Sequence, residues 1–108
     1  KFAEELEAQG VPLLDHVAGM PLDHSEDRVE VAKAIFDALP VGIGHLYLHP
    51  AQDTPELRAL CSDWRCRVAD YQAFLSPVLR DHIRNQGIQV IGYRALKDLM
   101  PVRSENLA

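Results

Sequence analysis

The run Ile43-Gly44-His45-Leu46-Tyr47-Leu48-His49 is apolar, short, and stopped by Pro50. Its Leu-Tyr-Leu centre suits a strand, and Pro50 lacks the N–H that would continue a ladder. Thr54 followed by Pro55 then reads as a helix N-cap with proline at the first helical position. A strand that runs through a loop into a helix is half of a βαβ unit, which commits the chain to parallel strands and right-handed crossovers. Ligands and chemistry collect at the carboxyl ends of such strands. His49 occupies that position here, with Asp53 four residues on.

The rest of the chain repeats this logic. Residues 2–9 predict a helix ended by Gly10, and Val11–Val17 a strand opened by Pro12, so that His16 lies at its end. Residues 18–24 read as a loop. Ser25 is the expected cap of a helix whose Val29, Ala32, Ile35, Phe36 and Leu39 fall on one face, with Pro40 and Gly42 as its stop. A short helix is expected over 55–61. Ser62 or Asp63 caps the next, which carries Trp64, Arg67, Val68, Tyr71, Phe74 and Leu75. Ser76-Pro77 repeats the cap-plus-proline signal and begins a helix stopped at Gly87. Ile88–Tyr93 predicts a third strand, 95–100 a terminal helix, and the last seven residues a frayed end.

The expected fold class is therefore α/β: about three βα units in one domain over residues 1–108. A three-stranded parallel sheet has two open edges and little to cover its second face. That predicts oligomerisation or membership of something larger. The chain opens on Lys1 without a methionine or a signal-peptide pattern, which allows for residues lost ahead of it.

Composition removes several functions. The formal net charge of -5 and the lack of a lysine or arginine run argue against nucleic acid as partner. No stretch approaches the ~20 apolar residues of a membrane span. Cys61 and Cys66 are five apart, which is not a CxxC pair. Two free thiols fit a reducing, cytoplasmic compartment. The sequence contains no Gly-rich phosphate loop, GxSxG or HExxH.

Among five histidines, His49 is the strongest candidate for chemistry. An imidazole titrates near pH ~6.5, so a neighbouring carboxylate such as Asp53 or Asp70 would orient it and favour its charged form. That form is what a general acid needs. His45 and His49 are separated by ~13 Å on a regular strand and do not share a metal easily. Sites built from His16, His49 and Asp53, or from His16, His24 and His49, are the improvised metal alternatives. His82 lies among charged residues and reads as solvated. Arg67 and Asp70, three apart, are expected to pair on one helix face. Trp64 and Tyr47 are the candidate sugar contacts.

His45-Leu46-Tyr47-Leu48-His49-Pro50-Ala51, Asp53 to Arg58, Arg67-Val68-Ala69-Asp70-Tyr71, Ser76-Pro77, and Gly87-Ile88 through Tyr93-Arg94 occur in that order. Over roughly residues 43–100 the chain resembles the C-terminal part of the YdjC/ChbG-like carbohydrate deacetylases. The resemblance implies a partial (β/α) barrel of the polysaccharide-deacetylase type. It implies hydrolysis of an N-acetyl group on a sugar, with a divalent metal, zinc or magnesium, activating water. His49 takes the place of an active-site histidine, as general acid or as stabiliser of the tetrahedral intermediate; Asp53, Arg67 and Asp70 are supporting candidates from the residues themselves, not from the resemblance. The family's metal ligands come from an N-terminal half whose Asp-Asp-Phe-Gly-like segment is absent from this sequence, so none is carried over. The expectation is a chain inactive alone that needs that half or a second copy. The rival expectation is a non-catalytic sugar-binding or oligomerising module.

Overall fold

The computed structural model describes residues 1–101. Among these are six helices and two short strands, in the order α1 Phe2–Ala8, β1 His16–Gly19, α2 Arg28–Ala38, β2 Gly44–Tyr47, α3 Pro55–Leu60, α4 Trp64–Phe74, α5 Pro77–Asn85 and α6 Tyr93–Lys97. The strands pair in parallel, with His16 opposite Gly44 and Gly19 opposite Tyr47. The chain is thus a mixed α/β structure, and its two-stranded sheet is built across a helical crossover.

β1 lies further along than the apolar run predicts. Pro12 has no N–H to give, and β2 offers no partner before Gly44, so 11–14 stays outside the sheet. The front edge is closed by Asp15, whose carboxylate accepts the Ile43 N–H at 2.7 Å. His16 consequently opens the strand instead of ending it. Ala18 and Gly19, expected in a loop, are paired. The Tyr47 ring lies where a Cβ at position 19 would stand, so a larger residue there would have to displace that ring.

The core gathers on one side of this sheet. Met20, Ala32 and Leu79 are buried, and Val29, Ile35, Phe36, Leu46, Phe74 and Ile83 pack around them. α2, α4 and α5 contact one another and supply most of these side chains. The apolar face expected on α2 is the one used, but the helix begins at Arg28. Its cap is Asp27, at φ 56, and not Ser25. Thr54 and Ser76 act as expected: their hydroxyls accept from Leu57 N at 3.1 Å and Val78 N at 3.2 Å.

The third strand is not formed. Residues 88–92 pair with no strand, and α6 begins at Tyr93. Ile88 N–H bonds back to the Ile83 carbonyl, while Val90 and Ile91 are 77% and 50% exposed. An apolar β-branched run realises its strand preference only against a partner edge. Instead a cleft of about 750 Å³ separates this segment from β2, lined by Phe36, Leu46, Leu48, Val90 and Ile91 among others. The Tyr93 hydroxyl meets His45 Nδ1 across it. The radius of gyration is 17.6 Å, against ~13 Å for a self-contained domain of this length. The expected frayed end at 102–108 lies outside the described residues.

Candidate functional site

β1 and β2 end side by side, and Met20 N–H donates to the Tyr47 carbonyl as the strands part. Two loops leave this carboxyl end: 20–27 leads to α2 and 48–54 to α3. His49 stands two residues beyond β2. Its side chain is exposed and makes no hydrogen bond among the described residues. The Tyr47 ring lies 6.3 Å away, tilted by 52°. The loop is tied down just after His49, where Ala51 N–H donates to the Arg67 carbonyl of α4 at 3.2 Å.

The carboxylates expected beside His49 are engaged elsewhere. Asp53 accepts two bonds from Arg58, both at 2.7 Å. This fork holds its carboxyl below the usual range. Asp70 is fully buried and accepts from Arg28 Nε at 2.6 Å. Arg67 does not pair with Asp70; its Nε and Nη2 bond Asp63 at 2.7 and 3.2 Å. The i,i+4 geometry brings Asp63 and Arg67 together on the outer face of α4, while Asp70 turns inward.

Asp63, which the sequence presents only as a helix cap, is the acid whose carboxylate Arg67 engages. Its carboxyl is held low by Arg67 first, and the positive form of His49 adds to this. The usable signal was the four-residue spacing of Asp63 and Arg67. Arg28 was missed as well. It sits in the first turn of α2 after the cap Asp27, and nothing in the local sequence marks it as buried.

Trp64 carries two guanidinium groups over its ring, Arg58 at 4.1 Å and Arg65 at 4.5 Å. Tyr47 is about half exposed and covers Gly19. The improvised metal sites are not formed: among the described residues no three His, Cys, Asp or Glu side chains converge to hold an ion. His16 Nε2 lies 3.3 Å from the Val41 carbonyl oxygen, and His24 stands between Asp23 and Glu26 at 3.8 and 3.9 Å. His82 is not solvated as expected; its Nε2 is 2.7 Å from Asp37 on α2. Cys66 is buried, and that burial pushes its thiol up, which removes it as a nucleophile at neutral pH.

What results is a small α/β structure with an exposed histidine at the carboxyl end of a parallel strand pair. No described helix is long and apolar enough to cross a membrane. No family model, curated protein or solved structure matches the chain.

Proposed function

We propose that this chain is the C-terminal part of a metal-dependent carbohydrate deacetylase of the YdjC/ChbG-like kind, and that His49 is its general acid. The observation that carries the reading is the state of His49: exposed, unbonded among the described residues, and held on a tethered loop at the carboxyl end of the sheet. Hydrolysis of an N-acetyl group ends when the tetrahedral carbon expels the sugar amine. The C–N bond breaks, and the leaving nitrogen takes a proton, which His49 supplies. Tyr47, beside His49, offers an aromatic edge to an N-acetylated sugar or oligosaccharide.

The described residues contain no ligand group for the divalent ion of such a reaction. The chain by itself is therefore expected to be inactive. The two strands and their helices then correspond to a segment of a (β/α) barrel. The large radius of gyration and the apolar cleft beside β2 support a unit whose core is completed by further barrel strands. Two unbridged thiols favour a cytoplasmic setting.

Deacetylation of N-acetylated oligosaccharides by the protein of the full reading frame, with zinc or magnesium supplied, tests the reading. Activity lost in His49→Ala while the sugar still binds is the expected result. Activity retained in that variant overturns it. A second reading is favoured by the exposed Val90 and Ile91: a non-catalytic module that binds sugar or a second copy of itself. Sugar binding indifferent to metal, together with a dimer in light scattering, selects this alternative.

A further inference from the structure

α1 and α5 each expose apolar surface bordered by charge, and the two charges are opposite in sign. On α1, Phe2, Ala3 and Leu6 fall on one stripe, with Glu5 and Glu7 on its two flanks. Phe2 is 74% exposed, and α1 makes no extensive contact with any other element. Glu5 and Glu7 have no ion-pair partner among the described residues.

A second cleft, of about 450 Å³, runs between α5 and residues 88–90. Leu75, Ile83, Ile88 and Val90 give it an apolar lining, and Leu75 and Val90 are themselves exposed. Arg80 and Arg84 line it as well. They are four apart on α5, hence on one row of that helix, and both are exposed. Arg28, Arg58 and Arg67 each hold a carboxylate. Arg80 and Arg84 hold none among the described residues.

We propose that this cleft is the docking site for α1 of a second copy of the chain, with Phe2 and Leu6 on its apolar lining and Glu5 and Glu7 against Arg80 and Arg84. An amphipathic helix seated in an apolar groove by anchors at i and i+4 is a recurring mode of recognition. Burial of Phe2 supplies attraction, and the opposed charges fix orientation. Each copy carries both surfaces, so the exchange is reciprocal and closes as a two-fold dimer. The proposal rests on the oligomerising reading only in that copies associate; it needs neither sugar nor metal.

Light scattering of the protein across a concentration series tests this. The wild type is expected to form a dimer whose dissociation constant rises with salt. Arg80→Glu with Arg84→Glu, and separately Glu5→Arg with Glu7→Arg, set like charges against one another at both contacts. Each pair of changes is expected to raise the dissociation constant at least about tenfold. All four positions are exposed, so both variants keep the fold, which circular dichroism checks. Mixing the two variants brings opposite charges together again at both contacts, and the heterodimer is expected to form with close to the wild-type constant. A dimer indifferent to both reversals leaves association standing but overturns this interface. Two weakened variants that do not pair when mixed also overturn it. A wild type that stays monomeric overturns both the interface and the oligomerising reading.

Discussion

Arg28 Nε donates to Asp70 Oδ1 at 2.6 Å across 42 residues of sequence, joining the first turn of α2 to the inner face of α4. Asp70 raises the guanidinium above its ordinary value through this bond, so the cation stays charged despite its burial. Removing one partner leaves the other charge stranded. Asp70→Ala is therefore expected to destabilise by about 3–5 kcal/mol. Replacing both partners by apolar residues, Arg28→Met with Asp70→Leu, is expected to be neutral or stabilising by about 1–4 kcal/mol. Urea denaturation of the three proteins checks this, and a double variant as weak as the single one contradicts it.

That contact also marks the limit of what the sequence makes legible. β2, the apolar face of α2, and the Thr54 and Ser76 caps are local patterns within a few residues, and the structure uses them all. Arg28 and Asp70 are each ordinary in their own helices, and only the tertiary packing makes them a pair. Ile88–Tyr93 fails in the opposite way. Its β-branched residues state a preference correctly, but a strand also needs an edge to join, and the segment lies across a cleft from β2. At the candidate site, the spacing places His49 just past the strand end but does not point to the carboxylate that faces it. Asp53 is nearer in sequence than Asp63, yet Arg58 takes it.

Asp63 and Arg67 give a pH signature. The bond from Arg67 lowers the Asp63 carboxyl below its unfolded value, which is near ~3.9. The folded chain thus binds fewer protons than the unfolded one in that window, and stability rises with pH through it. The contribution is complete above the unfolded value and disappears as pH falls through the folded one. Asp63→Asn is expected to lower the melting temperature at pH 7 and to leave it level with the wild type in strong acid. Melting curves of both proteins between neutrality and strong acid check this; a gap that persists unchanged into strong acid rules out the carboxylate as its source.

Gly19 and Tyr47 face one another across the strand pair, and the Tyr47 ring occupies the space of a Gly19 side chain. Gly19→Ala forces the ring or the strand to move, an overpacking that costs about 1–3 kcal/mol. Adding Tyr47→Ala removes the clash and is expected to recover most of that loss relative to Tyr47→Ala alone. A double-mutant cycle in urea measures the coupling, which should be at least ~0.5 kcal/mol for residues in contact. Because Tyr47 neighbours His49, the same cycle locates any effect on the His49 ring signals in the Tyr47 ring or in the strand itself.

The two thiols should part company in their chemistry. Cys66 is 5% exposed, and its burial raises the thiol, whereas Cys61 ends α3 at a half-buried position. Alkylation needs the thiolate and access to it. At neutral pH a thiol reagent is therefore expected to label Cys61 first, and Cys66 only as α4 opens or the chain unfolds. The rate at Cys66 then reports the stability of the α2–α4 contact directly. Asp70→Ala should speed it, and the apolar double variant should restore it. Equal labelling of both cysteines in the folded wild type would refute the buried placement of Cys66. A rate at Cys66 indifferent to Asp70→Ala would separate its protection from the ion pair one turn away.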